Sequence, residues 1–168
     1  MKIVIAEFSL VVLIGPSGCG KSSFARRHFL ATEIVSSDGC RALVCDDESN
    51  QRASADGFEL LNFIANKRLA RGRLTVIDAT SVQKRARREL LELARTHGCP
   101  AVAIVFDLPQ ELCVARDAAR VGRNVGPEIV QKQRLHLDQA LGELADEGFE
   151  QVVVLTTAEQ VDAASIER

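Results

Sequence analysis

SLVVLIGPSGCGKSSFA, residues 9–25, joins an apolar branched run to a glycine-rich segment and then to a segment of helical character. Residues 15–22 match the spacing G-x-x-x-x-G-K-[ST]. Glycines at 15, 18 and 20 permit backbone conformations and close approaches that a side chain would block. The stretch therefore predicts a strand over residues 9–14, a tight loop, and a helix over residues 23–30.

A loop of this kind binds phosphate. Its successive N–H groups surround anionic oxygens, and the following helix adds its positive end. We expect Lys21 to neutralise the β- and γ-phosphates of ATP and the Ser22 hydroxyl to hold Mg²⁺, or Mn²⁺ in its place. Cys19 is interpreted as a tolerated small residue rather than a redox switch. The residues predicted to contact the nucleotide are Gly15, Pro16, Ser17, Gly18, Cys19, Gly20, Lys21, Ser22 and Ser23.

Composition limits the classes of protein that fit. The chain has 168 residues, 46% of them hydrophobic and 26% charged, which predicts one globular domain over residues 1–168. It lacks the run of about 18 apolar residues that a bilayer span needs, so we expect a cytoplasmic protein without a membrane partner. Five cysteines without paired spacings predict reduced thiols, with no disulfide and no structural metal. A net charge of −2 argues against non-specific coating of nucleic acid.

Apolar branched runs recur along the chain with helical segments between them, which predicts an α/β fold with a central, mostly parallel sheet. The five predicted strands cover residues 9–14, 33–36, 74–77, 101–106 and 151–155. Residues 2–6 are a candidate for one more edge strand. Two apolar helical stripes are expected to pack on the sheet, namely Ala86, Leu90, Leu93 and Ala94, and Val130, Leu137, Leu141 and Leu144.

Polar residues follow the second strand at the edge of the sheet where a γ-phosphate would lie. Asp38 and Arg41 share a face if a helix begins there, so a carboxylate that accepts a hydroxyl proton would stand beside a cation that holds a substrate phosphate. Alternatively, Asp38 is only a helix N-cap and Arg41 its intrahelical partner. The neighbouring acidic residues at 46–48 are interpreted as solvated.

The third strand closes on Asp78, as a Walker B strand does. The Asp78 carboxylate is predicted to position Mg²⁺ through a water molecule. The alternative is that Asp78 or Thr80 caps the next helix.

Three arginines follow the fourth strand, in a segment opened by Pro109. Arg116, Arg120 and Arg123 lie at i, i+4 and i+7, so one helix face would carry all three guanidiniums. We interpret this segment as a helical lid whose arginines bind the triphosphate. The alternative is a solvated face paired with Asp117 and Glu111. A further basic cluster at residues 84–88 either binds a substrate strand or is solvated.

The sequence closely resembles the N-terminal kinase domain of bacterial polynucleotide kinase-phosphatase, an RNA-repair enzyme with a P-loop kinase fold. The resemblance runs over essentially the whole chain. It is carried by SLVVLIGPSGCGKSSFA, IVSSDGCRALVCDDE, LTVIDATSV, AIVFDLP and EGFEQVVVL, in matching order and spacing. Ser81 departs from the family pattern, because an asparagine is expected at this position.

The resemblance implies transfer of the ATP γ-phosphate to the 5'-hydroxyl end of RNA or DNA. It gives Asp38 the role of general base and implies that Arg41 contacts the acceptor's phosphate. It also places Arg116 and Arg123 in the lid. The chain would be a domain excised from a longer protein with phosphatase and ligase-like regions, and an RNA 3'-terminal methyltransferase would be its partner. Two rival hypotheses are a small-molecule kinase of the same fold and a non-enzymatic nucleotide-binding module.

Overall fold

A computed structural model describes all 168 residues and contains one five-stranded sheet, every neighbouring pair of which is parallel. The strands stand in the order β3-β4-β2-β5-β6. The predicted α/β fold with a central parallel sheet is therefore confirmed. The strands of this sheet are β2 (Leu10–Ile14), β3 (Ile34–Ser36), β4 (Thr75–Asp78), β5 (Ala101–Phe106) and β6 (Gln151–Leu155).

The central strands are mostly apolar because helices cover both faces of the sheet. Every residue of β2, β4 and β5 is buried. Val11 lies opposite Val76 on one side and Val102 on the other. Side chains alternate between the two faces along each strand, so the sheet carries two separate cores.

Seven α-helices connect the strands or flank the sheet. Leu90 and Leu137 pack into one core and Val130 into the other, so both predicted stripes face the sheet. None of the helices combines the length and apolar character that crossing a bilayer requires. The helices are α1 (Lys21–His28), α2 (Ser37–Cys45), α3 (Ser54–Ala70), α4 (Lys84–His97), α5 (Gln110–Ala118), α6 (Pro127–Leu141) and α7 (Ala158–Ala163).

The N-terminal segment forms a strand, as the sequence suggested, and this strand lies outside the central sheet. β1 (Lys2–Val4) pairs in parallel with β7 (Ser165–Glu167), in a separate two-stranded sheet. Ile3 lies opposite Ile166 and is buried in the second core. The buried side chain of Ile3 therefore holds this segment against the rest of the protein, although β1 does not belong to the central sheet.

One residue of the basic cluster at positions 84–88, Arg87, has a structural role. Arg87 is 1% exposed and donates to both carboxylate oxygens of Glu147, at 2.7 and 2.6 Å. Its Nη1 also donates to the carbonyls of Ser81 and Val82. For Arg87, both interpretations of the cluster, binding of a substrate strand and solvation, are therefore wrong. Its side chain joins α4 to the turn before β6.

Replacing Arg87 with alanine should lower the free energy of unfolding by about 3–5 kcal/mol, because Glu147 would keep a buried charge without its partner. Urea unfolding measures the change. Arg85→Ala is the control, since Arg85 pairs with Glu89 on the exposed surface and should cost at most about 0.5 kcal/mol. Equal losses in the two variants would contradict the buried role of Arg87.

Candidate active site

The glycine-rich loop is held from two sides. Gly15 N–H donates to the carbonyl of Thr80, just after β4, at 2.9 Å. On the other side, a Cβ at Gly18 would lie 2.1 Å from the carbonyl oxygen of Cys113 on α5, and the φ of Gly18 is +82°. Only glycine fits this position. The loop thus keeps its shape through contacts with the end of β4 and the backbone of α5.

Lys21 lies over the loop that precedes it. Its Nζ donates to the carbonyls of Gly15 and Pro16, at 2.8 Å each, and lies 3.4 Å from Cys19 Sγ. The side chain is buried. An incoming phosphate would therefore find the ammonium group already inside the loop, and would replace these carbonyls as its partner.

Ser22 and Asp78 offer oxygen donors at the ends of neighbouring strands. Ser22 is the second residue of α1, directly after β2 and the loop, and Asp78 ends β4, which pairs with β2. Both carry hard oxygen ligands of the kind that Mg²⁺ prefers, so the donor set fits this ion. The alternative that Asp78 or Thr80 caps the next helix is wrong, because α4 begins at Lys84 after Gln83.

Asp38 and Arg41 do lie on one face of a helix. The alternative that Asp38 is the N-cap is wrong, since Ser36 occupies that position and its Oγ accepts from Gly39 N–H at 3.3 Å. The intrahelical pair is present, with Arg41 Nη2 bound to Asp38 Oδ1. Arg41 is buried, and its Nε donates to the carbonyl of Glu48 at 2.9 Å.

Arg123 completes the contacts of Asp38. Its Nη2 lies 3.4 Å from Asp38 Oδ2, and its Nη1 lies 3.4 Å from Glu48 Oε2. Asp38 therefore stands between two guanidiniums. The interpretation of Glu48 as merely solvated is wrong, because its carboxylate and its backbone carbonyl each hold one of these arginines.

The prediction that Arg116, Arg120 and Arg123 share one helix face is wrong. The helix α5 ends at Ala118, which leaves Arg120 and Arg123 in the loop at residues 119–126. Asp117 explains this ending: it is 1% exposed and accepts from the N–H groups of Val125 and Gly126, both at 3.0 Å. The suggested pairing of Asp117 and Glu111 with the arginines is also absent.

Two of the three arginines nevertheless reach the same site. A cavity of about 310 Å³ brings together polar residues from the phosphate loop, α2 and the loop after α5. Arg116 lies outside its lining but close to the phosphate loop, with Nη1 3.8 Å from where a Cβ of Gly20 would be. Lys21, Ser22, Ser23 and Asp78 are not in the lining either. The lining includes Ser17, Asp38, Arg41, Thr80, Arg120 and Arg123.

A second cavity of about 710 Å³ adjoins the first, between α3, α4 and α6. Phe58, Thr80, Ile129 and Gln133 line both cavities, so the two lie side by side, and together they are called the groove below. Sequence reasoning missed Phe58, Ile129 and Gln133. Their positions carry no motif, and their convergence follows only from how the helices pack. Ser81 lines the second cavity, with a φ of +49°.

The cysteines near the loop are buried. Cys19 and Cys113 are both fully inaccessible to solvent. Burial raises the pKa of the Cys113 thiol to about 11, and the neighbouring Cys19 adds to the increase. At neutral pH Cys113 is therefore a protonated, apolar contact beneath the phosphate loop.

Gly18→Ala should abolish ATP binding and lower the free energy of unfolding by more than about 1 kcal/mol, because the new Cβ meets the backbone of Cys113 at an unfavourable φ. Calorimetric titration with ATP and urea unfolding measure the two effects. Gly142→Ala is the matched control, since Gly142 has a φ of −77° and room for a methyl group. Native ATP affinity in Gly18→Ala would contradict the tight packing of the loop.

Cys113 should make the protein less stable at high pH. The pKa of its thiol is about 11 in the folded chain, against an ordinary value of 9.0 when the chain is unfolded. Its contribution to stability is therefore complete below pH 9 and is lost as the pH rises towards 11. By pH 10.5 the loss should reach about 2 kcal/mol. Urea unfolding at pH 8 and pH 10.5 should show a smaller loss in Cys113→Ala than in the native chain. Equal losses would show that Cys113 does not titrate as described.

Comparison with known proteins supports the fold. Residues 10–144 match the family AAA_33, described as an AAA domain. A search of the curated proteins finds no match.

Among solved structures, a gluconokinase from Sinorhizobium meliloti 1021 is 19% identical, with 94% of this chain and 87% of that chain covered and a TM-score of 0.57. The AvrRxo1-ORF1:AvrRxo1-ORF2 complex with ATP is 15% identical over 92% of this chain and 56% of that one, with a TM-score of 0.65. A Pnkp1/Rnl/Hen1 complex contains a chain 24% identical over 70% of this chain and 41% of its own length, with a TM-score of 0.56.

These likenesses establish the architecture. The five-stranded parallel sheet with flanking helices is that of a P-loop kinase, a fold that implies ATP binding and phosphotransfer. The family match covers residues 10–144, which include the phosphate loop, Asp38, Arg41, Asp78 and all three arginines around α5. The chain belongs to the AAA_33 family of AAA domains.

Proposed function

We propose that this chain is an ATP-dependent polynucleotide 5'-hydroxyl kinase, which transfers the γ-phosphate of ATP to the 5'-OH end of RNA or DNA. One observation carries the proposal. Asp38 stands between the guanidiniums of Arg41 and Arg123, in a cavity that the phosphate loop reaches through Ser17. A carboxylate flanked by phosphate-binding cations is the arrangement that a phosphorylated acceptor with a free hydroxyl requires.

Asp38 is the general base in this proposal. It accepts the proton of the acceptor hydroxyl as that oxygen attacks the γ-phosphorus. Arg41 is held by the Glu48 carbonyl and by Asp38, so its guanidinium has a fixed position from which to bind the acceptor's phosphate. A bidentate guanidinium suits that contact because its fork matches the phosphate oxygens.

The charge that develops during transfer falls on the oxygens of the moving phosphoryl group. Lys21 lies inside the loop, Arg116 lies against Gly20, and Arg120 and Arg123 line the cavity in front of it. These four cations surround the phosphates from different elements. Ser22 and Asp78 would hold Mg²⁺ or Mn²⁺, which supplies further neutralisation of the phosphate charge when bound.

The groove favours a strand end over a metabolite. It extends from the Asp38 cavity into a second cavity of about 710 Å³, whose lining includes charged or polar side chains of both signs as well as apolar ones, among them Arg85, Lys132, His136, Glu59 and Glu89. A small-molecule pocket is usually closed and mostly apolar. A groove that passes Asp38 and leads outward between helices can accept a chain whose end alone reacts.

The rival candidate is a small-molecule kinase. The cavity at Asp38, about 310 Å³, falls at the lower limit of small-molecule sites, and a gluconokinase shares the fold. The sequence identity to that protein is 19%, so the likeness supports a shared fold and nothing further. The sequence resemblance through the acceptor and lid segments favours the polynucleotide end.

The proposal extends to the setting of the domain. We infer that residues 1–168 form one kinase domain of a longer cytoplasmic protein with phosphatase and ligase-like regions, which repairs RNA with a 3'-terminal methyltransferase as partner. The likeness to a chain of the Pnkp1/Rnl/Hen1 complex supports this inference, and this chain covers 41% of the length of that one.

The decisive test is transfer of labelled γ-phosphate from ATP to a short 5'-OH oligonucleotide with Mg²⁺. Asp38→Asn removes the base but keeps the side-chain shape, and kcat should fall by about 10²–10⁴-fold. Asp56→Asn, on the exposed surface of α3, is the matched control and should retain native activity. Labelling of sugars but not of oligonucleotides by the native chain would replace the acceptor in this proposal with a metabolite.

A further inference from the structure

One side chain in the site has no role in the chemistry described above. Gln133, on α6, accepts a hydrogen bond from the N–H of Ser17 through Oε1, at 2.8 Å. Ser17 is part of the phosphate loop, so a residue 116 positions away occupies one of the loop's amide groups. Gln133 also lines both cavities of the groove. Its carboxamide therefore lies where the phosphate donor and the acceptor must meet.

The position of Gln133 is tightly fixed. The next residue, Arg134, forms an ion pair with Asp107 and donates to the carbonyl of Leu108 at 3.3 Å. Both partners directly follow β5, so α6 is tied to the central sheet beside Gln133. Val130 and Leu137, on the same helix, are fully buried in the two cores. Because α6 is fixed in this way, a side chain on it can hold substrate atoms in place.

The chemistry of the carboxamide suits a contact with phosphate. Because Ser17 N–H donates to Oε1, the other end of the group is the Nε2 amide, which carries two N–H donors. Nε2 forms no hydrogen bond within the chain. A donor free of protein partners thus lies beside the loop amide and in the same cavity as Asp38 and Arg123.

We propose that Gln133 contacts the phosphoryl group during transfer, with Oε1 fixing the Ser17 amide and Nε2 donating to a phosphoryl oxygen. The inference rests on the proposed function for the identity of the acceptor, but not for the contact with ATP. It adds a neutral donor from α6 to the cations that surround the phosphates. Since α6 also walls the second cavity, Gln133 would align the donor phosphate with the acceptor's path.

Two substitutions separate this role from a structural one. Gln133→Glu keeps the length and the acceptor for Ser17 N–H, but replaces the free donor with a negative oxygen. It should lower kcat/KM for ATP by about 10- to 100-fold while the melting temperature stays within about 2 °C of the native value. Gln133→Ala should lower kcat at saturating ATP by about tenfold. Gln131→Glu adds the same charge on the exposed face of α6 and should stay within about twofold of the native value.

ATP affinity by calorimetry, ATP hydrolysis and transfer to a 5'-OH oligonucleotide should be measured for each variant. Higher ATP affinity and unchanged kcat in Gln133→Ala would overturn the proposal, because Gln133 would then only compete with phosphate for the Ser17 amide. Native kinetics in Gln133→Glu would overturn it too. If the native chain labels no oligonucleotide but Gln133→Glu still weakens ATP binding and hydrolysis, the acceptor assignment fails and the role of Gln133 stands.

Discussion

The approach of the phosphate loop to the backbone of α5 constrains the whole site. At Gly18 the two segments come so close that a Cβ would lie 2.1 Å from the carbonyl oxygen of Cys113. The same contact holds α5 against the phosphate loop just before Arg116, the first of the three arginines. Asp117, one turn beyond Cys113, then stops the helix by binding the N–H groups of Val125 and Gly126. Loop shape and arginine placement are thus linked through a single helix.

Much of this architecture could be predicted from sequence because it depends on local patterns. Each strand of the central sheet is a short, mostly apolar run, and the three central strands are buried along their whole length. The phosphate loop also has a local signal, namely the spacing of its glycines, Lys21 and Ser22, although the contact of Gly18 with Cys113 on α5 is not local. The pairing of β1 with β7 could not be predicted, because two three-residue segments at opposite ends of the chain carry no signal of their partner.

The arginine segment shows where periodicity misleads. Positions 116, 120 and 123 have helical spacing, but spacing does not report that a buried carboxylate at 117 satisfies the backbone beyond Ala118 and ends the helix there. Arg123 still reaches Asp38, by way of a loop rather than a helix face. Glu48 and Gln133 were missed for a related reason: their partners, Arg123 and Ser17, lie 75 and 116 positions away.

Three cations of the site already have partners inside the chain. Lys21 is held by loop carbonyls, and Arg41 and Arg123 are held by Asp38 and Glu48. A phosphate that binds these three cations therefore gains its contacts by exchange with their partners inside the chain. In the proposed function, this exchange would release Asp38 from its arginines at the step when it must accept a proton. Binding of the acceptor's phosphate and activation of the base would in this way be the same event.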